Sequence, residues 1–167
     1  MLNKLNIRKI FKEIIIFILS VFVISLVINF LRSPEINQSC LKYLKGKTIH
    51  GKDLSEFKNH YPLILHFWGT WCPICRQEAS NIDIVAKKYN LLTIAVDSGT
   101  DEEIKTWLKK RDLSFPVFND KNGKLARKFK IKIFPTTIIF DKEGKIKFIE
   151  SGYTTTLGLI SRIKLAD

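Results

Sequence analysis

Cys72 and Cys75, with Pro73 and Ile74 between them, are two thiols able to close into a disulfide and reopen without unfolding the chain. Just upstream, Leu63-Ile64-Leu65-His66-Phe67-Trp68 forms a run that predicts a buried strand. Downstream, Ala79, Ile82, Val85, Ala86 and Tyr89 recur at helical spacing, which predicts a helix over 73–89. A strand feeding a helix through the pair sets Cys72 at the helix N-terminus. There, free backbone N–H groups and the helix dipole favour a thiolate over a thiol. A thiolate attacks disulfides, so the arrangement is that of a redox reagent.

Other uses of the pair weigh less. Structural zinc takes four Cys or His ligands. Here the third cysteine, Cys40, lies far upstream, and His50, His60 and His66 form no H-x₃₋₅-H pair. A static disulfide would close a very small loop and remove little unfolded-state entropy. Soft thiolates also suit Cu(I), so a Cu(I)-binding module is the alternative function. A binding scaffold with incidental redox activity is a third.

The 167 residues allow one domain plus an appendage. Ile14 to Leu31 is an 18-residue apolar run interrupted only by Ser20, Ser25 and Asn29, at the short end of what spans a bilayer. Lys4, Arg8, Lys9 and Lys12 precede it, so the positive-inside bias predicts a cytoplasmic N-terminus and an exported remainder. The run exceeds the apolar core of a cleaved signal peptide, and no A-x-A-like site follows it, which favours an uncleaved anchor. Asn37-Gln38-Ser39 lacks the small-residue pattern for lipidation at Cys40. The expected organisation is an anchor over 1–31, a polar tether over 32–47 and a redox domain over 48–167. The chain would then be a single-pass protein of the cell (inner) membrane, its catalytic domain periplasmic.

The net charge of +12 invites a nucleic-acid reading. Residues 1–32 hold five basic side chains and one acid, which leaves 23 basic against 15 acidic, a net +8, in residues 33–167. These charges are spread in short pairs, densest at Lys109-Lys110-Arg111 and from Lys124 to Lys132. An exported domain rarely meets nucleic acid, so this charge suits acidic partners or anionic headgroups.

Beyond the tether the elements alternate. Thr48–Lys52 reads as a short strand or turn, and Leu91–Val96 as a second buried strand. Asp101–Arg111 has acids in its first turn and Ile104, Trp107 and Leu108 on one face, which predicts a helix. A strand over 115–118, a short helix over 124–130, strands over 136–140 and 145–149 about Lys142-Glu143-Gly144, and a helix over 155–165 follow. Alternation of this kind implies a central mixed sheet covered on both faces.

Two segments carry a family resemblance: F-W-G-T-W-C-P-I-C-R-Q-E at 67–78 and I-F-P-T-T-I-I-F-D-K-E-G-K-I at 133–146. They resemble the thioredoxin superfamily, and within it the membrane-anchored TlpA/ResA type of thiol–disulfide oxidoreductase, including copper-sensitivity suppressors of the ScsD type. The resemblance covers about residues 48–165. It implies a thioredoxin-like α/β fold, a central mixed sheet flanked by helices, here with an N-terminal transmembrane helix. Residues 101–118 match the extra helix and strand of this branch. No cofactor is implied beyond the redox-active Cys72–Cys75 disulfide.

By the same resemblance Cys72 attacks and Cys75 resolves. Pro135 matches a cis-proline facing the pair, with Phe134 and Thr136 beside it to hold an extended substrate, and Trp71 shields the cysteines. Taken alone, Pro135 could simply open a strand. Glu78 matches a glutamate that this branch places near the thiols. Buried, it would have a raised pKa and move protons; exposed, it would only stabilise the first helical turn. His66 stands where many thioredoxins hold a buried acid, as a proton acceptor or as a hydrogen-bonded core residue. The implied function is a membrane-anchored extracytoplasmic enzyme reducing disulfides in exported proteins, in cytochrome c maturation or copper-stress repair. Its partners would be those proteins and a membrane electron donor of the thiol-reductase type. Cys40 is either a free thiol near the membrane or a link to another chain.

Overall fold

Leu63–Trp68 (β1) and Leu91–Val96 (β2) are buried at every position, as apolar runs at the centre of a doubly covered sheet must be. The computed structural model describes residues 9–17, 19–20, 24 and 38–167. By internal contacts the chain divides into two units, Met1–Ser33 and Pro34–Asp167. The second unit holds the sheet. Val117–Asp120 (β3), Thr136–Phe140 (β4) and Ile146–Ser151 (β5) complete it, in the order β3-β2-β1-β4-β5. The strands β1, β2 and β3 run parallel, while β4 is antiparallel to both β1 and β5.

Alternation along β1 divides the core in two. Ile64 and Trp68 face one layer; Leu63, Leu65 and Phe67 face the other. The first layer is built by Pro73–Ala86 (α2), Asp101–Lys109 (α3) and Thr156–Ala166 (α5). The second holds Leu54–Lys58 (α1), Lys124–Lys128 (α4) and the 3-10 turn Gln38–Tyr43. Helix α3 begins where Thr100 and Glu103 close a reciprocal capping box, and Asp101, Glu102 and Glu103 oppose the helix dipole.

Element boundaries move by a few residues from those expected. The third strand starts at Val117, because Pro116 has no N–H to give a ladder, and its carbonyl accepts instead from Thr93 N (2.9 Å) and Thr93 Oγ1 (2.9 Å). Helix α2 ends at Ala86, where the Lys87 N–H closes the last turn onto the Asp83 carbonyl.

The expected transmembrane helix is corrected. Among the described residues no helix is long and apolar enough to cross a membrane. The described helical residues there, 9–17, 19–20 and 24, include the charged Lys9, Lys12 and Glu13. Much of the run from Ile14 to Leu31, namely 18, 21–23 and 25–31, lies outside the described residues, as do 1–8 and 32–37. With the helix go the membrane-anchored function, the signal-anchor description, the membrane-inserted partners and the single-pass placement.

Cys40 and Leu44 are buried in the second layer, Cys40 at 6% exposure with its thiol donating to the Lys128 carbonyl at 3.3 Å. A thiol turned inward in this way is not offered to another chain. Leu44 is fully buried, so Leu44→Ala is expected to cost about 2–5 kcal/mol, as at a core strand position. Chemical denaturation of the variant measures this; a loss below about 0.5 kcal/mol would place Leu44 outside the cooperative unit.

Candidate active site

The chain leaves β1 at Trp68, turns through Gly69 and Thr70, and enters α2 at Pro73. Cys72 is the N-cap of α2, in extended backbone conformation, and its sulfur accepts from the Cys75 N–H at 3.2 Å. Proline at the first helical position has no N–H to leave unpaired, and its fixed φ suits the turn. The two sulfurs are joined in a disulfide with Cα atoms 5.3 Å apart, inside the ordinary range. Both cysteines are buried, while Trp71 and Ile74 beside them are 52% and 45% exposed. The rim of the site is therefore apolar and open, and its sulfur is shallowly covered.

Hydrogen bonds from the next strand fix the turn. Thr70 N donates to Ser98 Oγ at 3.0 Å, and Trp71 Nε1 donates to the Val96 carbonyl at 3.0 Å. A Cβ at position 69 would lie 2.5 Å from the Trp71 indole, so glycine is what lets the ring fold over the turn. Trp71 then meets Phe134 edge to face, centroids 5.4 Å apart. The Phe134–Pro135 peptide is cis. The Pro135 carbonyl accepts from Gly152 N at 2.8 Å, and Thr136 Oγ1 donates to the Ile133 carbonyl at 2.8 Å. Trp71, Phe134 and the two cysteines thus come together, with Pro135 and Thr136 adjoining Phe134. Thr136 itself is buried.

Glu78 is fully buried one turn beyond Cys75 on the same face of α2. Its Oε1 accepts from Thr154 N at 2.9 Å, and Oε2 has no hydrogen-bond partner among the described residues. Burial pushes its carboxyl up to about 7, against the smaller opposing pull of the Thr154 N–H. His66 is buried on β1, its Nδ1 2.9 Å from Thr137 Oγ1 on β4, and burial pushes its pKa down to about 3. It is a neutral, hydrogen-bonded core residue at ordinary pH.

Spacing gave no sign of Ser98, Thr137, Gly152 or Thr154, which act through backbone or across strands far apart in sequence. The turn signal Asp97-Ser98-Gly99 is the nearest hint of the first. Among the described residues no three His, Cys, Asp or Glu side chains group so as to hold a metal ion.

This geometry is that of a redox pair at a helix N-terminus, and the AhpC/TSA family matches residues 35–149. The chain belongs to that family. A thioredoxin-like protein of Haemophilus influenzae is 33% identical over 98% of both chains. The thiol-disulfide oxidoreductase ResA of Bacillus thuringiensis is 36% identical over 107 residues, which are 62% of this chain and 60% of ResA. Among solved structures, the exposed lipoprotein thioredoxin of Streptococcus pneumoniae superposes with TM-score 0.61 at 28% identity, over 71% of this chain and 96% of its own. This is a thioredoxin-superfamily, ResA/DsbE-like thiol–disulfide oxidoreductase domain, and the chain is an enzyme of that chemistry.

Glu78 gives the domain a pH signature. Its folded value, about 7, lies above the ordinary 4.5, so the unfolded chain ionises first. Its contribution is therefore full below pH 4.5 and is lost as pH rises through 7, by about 3 kcal/mol in all. Glu78→Gln keeps an oxygen for Thr154 and should remove this fall. Denaturation midpoints of the oxidised protein between pH 4.5 and 8 compare the two; parallel curves would show that Glu78 ionises as freely folded as unfolded.

Proposed function

We propose that the domain exchanges disulfides with extended protein segments outside the cytoplasm, with Cys72 as nucleophile and Cys75 as resolving thiol. The observation that carries this is the Cys75 N–H donated to the Cys72 sulfur at the start of α2. Once reduced, Cys72 Sγ holds its charge where an N–H and the helix dipole point at it. The thiolate attacks one substrate sulfur, expelling the other as a thiolate and forming a mixed disulfide. Cys75, deprotonated in turn, attacks Cys72 Sγ and releases the second substrate thiolate. Two electrons pass to the substrate, and a dithiol donor of more negative potential restores the pair.

Glu78 supports two further steps in this reading. One turn from Cys75 and with a pKa near 7, it is suited to take the Cys75 proton during resolution. Once ionised it opposes negative charge on the thiols, which stabilises the reduced form less and makes the pair a reductant. Trp71 and the half-buried Phe134 form the apolar edge on which an extended substrate lies, with the buried cis-Pro135 beside them. The exposed lipoprotein among the similar structures supports placement outside the cytoplasm.

The narrower ScsD-type assignment rests on the motif at 67–78. Copper titration alongside insulin reduction tests the alternative of a Cu(I)-binding module, which Cu(I) capture without disulfide turnover would favour.

The Cys75→Ser protein should trap substrates as mixed disulfides that persist until a thiol is added, while Cys72→Ser should trap none and lose turnover of insulin by at least about a thousandfold. Equal trapping by both variants would remove Cys72 from the nucleophile's place. A measured potential as oxidising as about −120 mV would reverse the direction of flow.

A further inference from the structure

We propose that a basic cleft at the end of β3 is a docking site for an acidic segment of the protein whose disulfide is exchanged; this rests on the function proposed above. The cleft has a volume of about 410 Å³, and Lys121, Lys124 and Lys128 line it together with Tyr43 and Phe118. All three lysines are exposed, and none makes an ion pair among the described residues. Lys128 Nζ lies 5.0 Å from the centre of the Tyr43 ring. The one carboxylate in the lining, Asp120, is buried and turned inward, accepting from Leu125 N (3.1 Å) and Ala126 N (2.8 Å). The cleft therefore presents three ammonium groups that make no ion pair among the described residues, a net positive charge over an aromatic floor.

Its position ties it to the redox pair. Trp68, Ala95 and Asn119 stand in one cross-strand row, so β1 and β3 end side by side, two strand spacings or roughly 10 Å apart. One loop joins the two places. On its near side Val96 and Ser98 hold Trp71 and Thr70. On its far side Asp97 N donates to the Asp120 carbonyl at 3.2 Å, and Asn119 Nδ2 donates to the Gly99 carbonyl at 3.0 Å. A protein partner covers about 800 Å² of each surface, a patch roughly 30 Å across. Cys72 is 4% exposed, so its partner must press closely around it. A partner seated there reaches the cleft as well. What it meets is cationic, so an acidic segment is what fits; charge of this kind raises the rate of productive encounter.

The test uses the reduced Cys75→Ser protein, whose capture rate is independent of the direction of electron flow. Two disulfide-bonded peptides are compared, identical except that a flanking run of Asp and Glu in one is Asn and Gln in the other. Hydroxyethyl disulfide, small and neutral, is the control. The expected result is a preference on the order of tenfold for the acidic peptide at low salt, lost at high salt and lost in K121Q/K124Q/K128Q. Capture of hydroxyethyl disulfide should be the same in both proteins, which shows that the substitutions leave the fold and the thiolate intact. Equal capture of the two peptides, or a preference that survives the triple substitution, overturns the proposal. So does lysine-dependent binding to phosphatidylglycerol vesicles without any peptide preference, since the cleft would then serve a lipid surface. Failure of the wild-type pair to react with any of the three disulfides would instead sink the proposed function itself.

Discussion

The hydrogen bond from the Cys75 N–H to the Cys72 sulfur depends on a strand, a turn and a helix meeting in one geometry. β1 must end at Trp68, Gly69 must let the indole of Trp71 lie over the turn, and Pro73 must open the helix. Each condition rests on something buried. β1 is held on both sides, in parallel to β2 and antiparallel to β4, and no residue of it reaches solvent. Trp68 is fixed against Trp107 and Phe115, whose ring centroids lie 4.9 and 5.6 Å away. The helix presents an N–H to the sulfur because this packing leaves its first turn no other direction. The segment carrying α3 and β3 is thus part of the support for the site, since it supplies both aromatic contacts.

Polar groups inside the same layer are few and mostly satisfied. His66 pairs with Thr137 across the β1–β4 ladder, and Thr93, opposite His66 on β2, turns its hydroxyl onto the Pro116 carbonyl. Together they form a polar row crossing the sheet between apolar rows. Glu78 differs in kind. One of its oxygens has no partner, and the charge it would carry at high pH is the costly state. A structural carboxylate of this sort is hard to justify by stability, because an apolar side chain of similar size would serve better. Its position one turn from Cys75 is what the proton transfer proposed above would put to use.

Much of this was legible in the chain. Periodicity located every strand within a few residues, because runs such as Leu91–Val96 are apolar for the simple reason that both faces of the sheet are covered. The pair at 72 and 75 was visible from residue type at short spacing, whereas the segment around Pro135 stood out only through its family resemblance. What failed was of another kind. The apolar run after Phe11 satisfied a hydropathy count, yet among the described residues no helix is long enough to use it. Thr154 carries no signal, since it acts through its backbone N–H, and Ser98 shows only as part of the turn Asp97-Ser98-Gly99. The burial of Cys40 was also invisible, because nothing local to Gln38–Tyr43 says that this turn packs beneath α4.

The basic residues show why a charge count needs a map. Read along the chain, Lys124 and Lys128 look like part of one solvated helix face and Lys121 like a turn residue. In the fold they border a cleft whose single carboxylate is spent on two backbone N–H groups of the helix beginning beside it. Asp120 therefore satisfies two N–H groups of the first helical turn and lies buried, where it makes no ion pair with the lysines. Positive charge left over in this way is cheap for stability, because exposed ammonium groups remain hydrated. It still shapes encounters, because the field it produces acts over about a Debye length, roughly the spacing between the ends of β1 and β3. A thiolate that is covered, and reached only when a partner settles over Trp71, gains from any force that orients the partner before contact.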